Sequence, residues 1–201
     1  KASKACNSSR DLDKIAHKES HHCNIALQSK IKFGTDGWRA IIADEFTVEN
    51  VARVAYATAQ WLKKSDWNSK IALGHDCRFA GELFAETVAK VLLHEGIEVV
   101  MSKGFVSTPM ISLAANQLNC GLGVILTASH NPIQWNALKL LNEYGEFISA
   151  AEGAEVLRLA SSGEVSFANV HSLGSISEIS YLDYHINHIL QLKAFAAFLP
   201  A

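Results

Sequence analysis

Residues 120–132 read Cys120-Gly121-Leu122-Gly123-Val124-Ile125-Leu126-Thr127-Ala128-Ser129-His130-Asn131-Pro132. The run from Leu122 to Leu126 is apolar throughout, as in a strand covered on both faces. It turns polar at Thr127, so Ser129 and His130 fall where a strand ends and a loop begins. In open α/β folds ligands bind at that edge, because strand ends and helix starts leave backbone groups free there.

Working outward, strand and helix patterns alternate. Upstream, Gly34-Thr35-Asp36-Gly37 is a turn and Ala40–Ala43 a strand. Thr47 caps a helix in which Val48, Val51, Val54, Ala55, Thr58 and Leu62 recur at helical spacing, with Glu45 and Glu49 at its positive end. Lys70–Gly74 is a strand. Glu82–His94 is a helix with Leu83, Ala85, Val88, Ala89, Leu92 and Leu93 inward, stopped by Gly96. Ile97–Met101 is a strand, and Pro109–Leu118 a helix with Thr108 as cap. Cys120–Leu126 and Ala137–Leu141 are strands, and Ala150–Leu159 is a helix. This alternation predicts an α/β fold, a three-layer α/β/α sandwich around a mostly parallel mixed sheet.

The ends differ from the middle. Residues 1–30 are polar and carry six Lys/Arg against three Asp/Glu. They read as a partly disordered tail with a short helix near Asp11–Glu19. The core domain is expected over 31–172, with 161–173 as loop. Leu182, Ile186, Ile189 and Leu190 form one face of a last helix within 173–201, read as a linker toward a further domain. Phe195, Phe198 and Leu199 make an apolar end that resembles a chain cut at a domain entrance. The chain opens at Lys1 without methionine, so an upstream start is expected.

With 201 residues and 49% hydrophobic content, the chain can form one well-packed domain and disulfide staples are unnecessary. Cys6, Cys23, Cys77 and Cys120 show no CxxC spacing, which fits a reducing, cytoplasmic setting. The net charge of −2 argues against nucleic acid as partner, and neither a membrane span nor a secretory signal is evident. His17, His21, His22 and Cys23 allow a zinc reading, since His17 and His21 would share a helix face. Short His-rich tails are more often incidental.

Ser129 needs activation to act as a nucleophile. The G-x-S-x-G elbow is absent, and an adjacent His130 would point away from Ser129 in extended backbone. That argues against a Ser-His-Asp hydrolase. Taken alone, a buried strand-end serine with His130 bonded to backbone reads equally well. Cations shift the balance toward phosphate. Phe33-Gly34-Thr35-Asp36-Gly37-Trp38-Arg39 is a glycine-rich turn delivering a guanidinium, and Gly74-His75-Asp76-Cys77-Arg78 delivers a second just past a strand. Lys139, ten residues beyond Ser129, could fold back toward it.

These stretches, with Ser107-Thr108-Pro109 and the pair Asn136 and Lys139, resemble the first domain of the α-D-phosphohexomutase superfamily, the phosphoglucomutases and phosphomannomutases. The resemblance covers about residues 31–160. It implies that Ser129 carries a phosphoryl group and donates it to a hexose monophosphate, giving a bisphosphate that returns its other phosphate to Ser129. Arg39 and Lys139 would surround that phosphate and assist proton transfer, and His130 would orient substrate. Gly34, Thr35, Asp36, Gly37, Arg78 and Asn131 would support the phosphate loop. Mg²⁺ would bind through the phosphate on Ser129 plus carboxylates, with hexose 1,6-bisphosphate as activator.

Two departures carry expectations. The family usually has Asn-Gly-x-Lys where this chain has Asn136-Ala137-Leu138-Lys139. If that position needs positive φ, Ala137 strains the turn by about 1 kcal/mol or shifts Lys139. The family's Asp-rich metal loop, sugar-recognition loop and C-terminal phosphate loop all lie beyond the first domain, and after Asp76 the only Asp is Asp183. The chain is therefore expected to be a domain I fragment, inactive alone, with the remaining mutase domains absent from it. The competing reading is a non-catalytic truncated paralogue that binds phosphosugar or a protein partner.

Overall fold

The computed structural model describes residues 31–34, 36–162 and 173–192. The elements in chain order are β1 (Phe33–Gly34), β2 (Gly37–Ile41), α1 (Val48–Lys64), β3 (Lys70–His75), α2 (Gly81–His94), β4 (Glu98–Ser102), α3 (Thr108–Gln117), β5 (Leu122–Leu126), β6 (Trp135–Leu141), α4 (Ala150–Ser161), β7 (Ile176–Ile179) and α5 (Tyr181–Gln191). They build one seven-stranded sheet in the order β1-β2-β6-β5-β3-β4-β7. The pairs β5/β3, β3/β4 and β4/β7 are parallel, whereas β1/β2, β2/β6 and β6/β5 are antiparallel. Five strands therefore run one way, and only β1 and β6 oppose them. This is the mostly parallel mixed sheet read from the sequence.

The layers follow from which residues each strand turns to each side. One face carries Trp38, Leu73, Val99, Val124 and Leu140, packed with buried residues of α1, α2 and α4. The other carries Ala72, Val100, Ile125 and Leu141, packed with Ile111, Ala114 and Tyr181 of α3 and α5. Trp38 stacks on Phe46 at 4.6 Å, and Phe46 meets Phe84 edge-on at 4.8 Å, joining β2 to α2. Such aromatic pairs add about 1 kcal/mol to the area they bury.

Helix ends are set by local chemistry. Thr47 Oγ1 accepts from Asn50 N–H at 3.2 Å. Ser149 Oγ accepts from Glu152 N–H at 3.3 Å, while Glu152 Oε2 takes the Ser149 N–H at 2.6 Å, a reciprocal cap. Gly96, at φ 75°, ends α2 as expected.

Several expectations move. The strand placed at 40–43 begins at Gly37 instead and ends by Ile41, because Ala43 (φ 67°) enters a turn. The cap of α3 is Ser107, in extended backbone, with Thr108 as first helical residue and Pro109 second. Leu83, expected inward, is half exposed; Phe84 takes the core position, because it lies one turn before Val88 on the buried face with Ala85, Ala89 and Leu92, whereas Leu83 lies above Thr87 and Lys90 on the polar side. In the stretch from 173, where a linker is expected, β7 adds to the sheet beside β4, and the Tyr181 hydroxyl donates to Val100 C=O. The expected break at 172/173 thus falls between elements of one sheet. The tail over 1–30, its short helix, the zinc residues His17, His21, His22 and Cys23, Thr35, most of the 161–173 loop and the apolar end at Phe195, Phe198 and Leu199 lie outside the described residues. Among the described helices, none is long and apolar enough to cross a membrane.

Leu73 is fully buried at the centre of β3, and Leu83 is half exposed on α2. Leu73→Ala should cost about 3 kcal/mol of unfolding free energy and Leu83→Ala under about 0.5 kcal/mol. Urea denaturation of the two variants checks which side of α2 is buried.

Candidate functional site

The serine loop leaves the carboxyl end of β5 and returns as β6. At its start Thr127 N–H still bonds to Ala137 C=O at 2.9 Å, so sheet pairing runs up to the loop. Ser129 then adopts φ 54°, a left-handed conformation that costs a non-glycine residue about 1 kcal/mol or more. Its N–H donates to Thr127 Oγ1 at 3.0 Å, and the Thr127 hydroxyl donates to Asp76. Because the backbone is not extended here, His130 does not point away as expected. Its Nδ1 lies 3.5 Å from Ser129 Oγ, on the same exposed side.

Arg78 holds the loop in this shape. Its Nη1 donates to Pro132 C=O at 3.1 Å and Trp135 C=O at 3.0 Å. Its Nη2 donates to Asn131 C=O at 2.7 Å and to Ser129 C=O. Nε faces Asp76 Oδ2 at 3.5 Å, and Asp76 Oδ1 accepts the Arg78 backbone N–H at 2.9 Å. The planar five-donor fork of arginine is thereby occupied by four carbonyls and one carboxylate. Arg78 is therefore not free to act as a second phosphate-binding guanidinium; it supports the loop from beneath. Asp76, to which the sequence motif assigned no role, is the junction of this network. The Asp76-x-Arg78 spacing, an Asx turn just past a strand, was the signal for it.

The remaining cations come from the antiparallel side of the sheet. Gly37 faces β6 so closely that an added Cβ would lie 2.8 Å from Lys139 Cα. With φ 136°, it accepts a conformation that side chains rarely adopt. This close approach sets Asp36 beside Lys139, whose Nζ donates to Asp36 Oδ2 at 2.8 Å. Arg39 donates through Nη2 to the same Asp36 oxygen and through Nη1 to Asn131 Oδ1 at 2.8 Å. Lys139 is nearly buried, with its ammonium 5.4 Å from the Phe147 ring centroid. So Arg39, Asp36, Lys139 and Asn131 form one chain of contacts leading to the serine loop, while Gly34 lies in β1 beside it. Lys139 folds toward Asp36 and is linked to Ser129 through Arg39 and Asn131.

Ala137 carries none of the expected strain. It sits inside β6, opposite Arg39, fully buried and without positive φ. No glycine is needed because the chain is already regular strand there. Asn136 is also fully buried; its Oδ1 accepts the Ala137 N–H at 2.8 Å. Among the described residues no group of three or more His, Cys, Asp or Glu side chains could hold a metal. Burial pushes the Cys120 thiol up to about 11, and Cys77 is exposed.

Burial acts to raise the Asp36 carboxyl, but hydrogen bonds from Lys139 and then Arg39 outweigh it and hold it below the ordinary carboxylate range. A depressed folded-state value means stabilisation that is full above pH about 4 and is lost as pH falls through the folded value. Asp36→Asn should therefore flatten the acid limb of a urea-midpoint profile between pH 6 and 3. For the loop, Arg78→Ala should speed amide hydrogen exchange over residues 129–135 by about tenfold or more. Arg78→Lys should not restore protection, because one ammonium cannot reach four carbonyls.

Residues 30–165 match the family model described as phosphoglucomutase/phosphomannomutase, alpha/beta/alpha domain I. A phosphoglucomutase of Staphylococcus saprophyticus is 33% identical over 128 residues, covering 61% of this chain and 23% of that protein. A phosphoglucosamine/phosphogalactosamine mutase of Sulfurisphaera tokodaii is 38% identical over 113 residues, covering 56% and 24%. A crystal structure from Thermus thermophilus, assigned as a phosphomannomutase, superposes with a TM-score of 0.69 at 32% identity, over 78% of this chain and 35% of that one. The chain spans about a quarter to a third of the length of these relatives. With the sheet order, the glycine turn and the serine loop already placed, these matches make the chain a member of the phosphoglucomutase/phosphomannomutase family, with residues 30–165 as its α/β/α domain I.

Proposed function

We propose that this chain supplies the phosphoserine domain of a phosphohexomutase, an intramolecular phosphotransferase interconverting hexose 1-phosphate and hexose 6-phosphate. The observation that carries the reading is the placement of Ser129. Its hydroxyl stands on a left-handed loop held from below by Arg78, beside a network containing Arg39 and Lys139. In the transfer, the P–O bond to Ser129 breaks as a sugar hydroxyl forms its own bond to phosphorus. The proton of that hydroxyl leaves as Ser129 Oγ becomes free to take one up. Hexose 1,6-bisphosphate is then the intermediate, and added bisphosphate the activator that rephosphorylates Ser129.

Roles for the chain's residues follow from charge and reach. A phosphoserine carries about −1.5 to −2 at neutral pH and needs cations around it. Arg39 and Lys139 provide them, and Arg39 is already oriented by Asn131. His130, next to Ser129 Oγ and exposed, is placed to orient substrate or relay a proton. Gly34, Asp36 and Gly37 shape the turn that delivers Arg39. Mg²⁺ would supply charge stabilisation to the transferring group through a phosphate oxygen on Ser129. Among the described residues no group of three or more His, Cys, Asp or Glu side chains would complete its ligand set.

Losing one preorganised charge-stabilising group typically costs about 10²-fold or more in rate. The described residues hold no cluster for a metal, and the chain spans only about a quarter to a third of the length of its mutase relatives. Accordingly, the 201-residue chain alone should show no interconversion of glucose 1-phosphate and glucose 6-phosphate in a coupled assay. In the complete enzyme, mass spectrometry of the peptide containing Ser129 should show a stable phosphate that Ser129→Ala abolishes. An unmodified serine after bisphosphate treatment would overturn the mechanism.

A further inference from the structure

Asp36 has a position that support of a turn does not explain. Its Oδ2 accepts from Lys139 Nζ at 2.8 Å and from Arg39 Nη2, so both cations converge on one oxygen. The Lys139 side chain is 6% exposed, and its ammonium also faces the Phe147 ring. The second terminal nitrogen of Arg39 reaches Asn131, two residues past Ser129. A lysine and an arginine converging on a single anionic oxygen is how a phosphoryl oxygen is held. The carboxylate also lowers the charge of the cluster from two positive to one.

Resting on the reading of Ser129 as a phosphate carrier, we propose that Asp36 is an internal stand-in for phosphate. Its carboxylate holds Arg39 and Lys139 in place while Ser129 is unphosphorylated. Once a phosphoryl group arrives, the same carboxylate competes for the two cations and moderates their grip on it. Moderation matters because a ground state bound too tightly raises the barrier to transfer. Two bare cations beside a phosphate dianion would stabilise the phosphoserine itself, whereas one shared anion leaves the group transferable. Asp36 is thus a positioning and tuning residue that acts through Arg39 and Lys139.

The test titrates inorganic phosphate into the purified 201-residue chain, followed by NMR at the backbone of residues 127–131 and the Arg39 side chain. Asp36→Asn keeps one carbonyl oxygen to which both cations can donate and removes only the charge. It should bind phosphate about tenfold more tightly than the wild type, because one nearby like charge has gone. Adding Arg39→Ala to it should abolish the gain. In the wild type, which needs no variant to fold, the Asp36 carboxyl ¹³C resonance should move as phosphate binds, since the two anions share partners. Binding at the serine loop with equal or weaker affinity in Asp36→Asn, or with a stationary Asp36 resonance, overturns the stand-in role alone. No response at the serine loop in either protein overturns the phosphate-carrier reading and this inference with it.

Discussion

The guanidinium of Arg78 beneath the serine loop is the contact on which the site depends. Four carbonyls between Ser129 and Trp135 face it, and Asp76 anchors it from the end of β3. A loop whose carbonyls converge inward cannot satisfy them among themselves, so a single multi-donor cation is the partner that meets them all. The same carboxylate accepts the Thr127 hydroxyl, which in turn accepts the Ser129 N–H. Left-handed backbone at Ser129 is therefore over-determined from both sides. That is the circumstance in which strained backbone persists at a functional site.

With Arg78 committed to carbonyls, charge for an anion has to come from elsewhere, and the topology decides where. Reversal of β6 places Lys139 opposite Ile125 on one side, while Gly37 of β2 closes on it from the other. A fully parallel sheet would have needed a crossover between β5 and β6, carrying the chain away from the loop. The antiparallel return keeps the serine loop short and brings Asp36, Arg39 and Lys139 to its flank. In this way the departure from parallel order and the chemistry of the site are one feature. Asp36 then sets how much positive charge the cluster presents.

Most of the fold was legible in the residues. The alternation of apolar runs with helical periodicity identified five of the strands and the five helices among the described residues, because burial against two layers imposes those periods. The turns were harder to bound. Ala43 in left-handed backbone cut one strand short, and Leu83 faces outward because it lies on the polar side of α2 with Thr87 and Lys90. Strand β1, two residues long, has no period to read. Strand β7 reads Ile176-Ser177-Glu178-Ile179, half polar, and only its pairing with β4 makes it part of the sheet.

For the site, the sequence alone determined which residue types were gathered and in what order. The glycine turn, the Asp76-x-Arg78 pair and the serine loop are local motifs whose chemistry is carried by neighbours along the chain. Which of those charges faces which is set by the packing of the sheet. Arg78 and Arg39 look alike as arginines near strand ends, yet one is consumed by carbonyls and the other stays with Asp36 and Asn131. That difference comes from partners 51 and 92 residues away, through hydrogen bonds set by sheet order. Local spacing carries no information about such partners, because they are brought together by strand pairing across the sheet and not by turns of the chain.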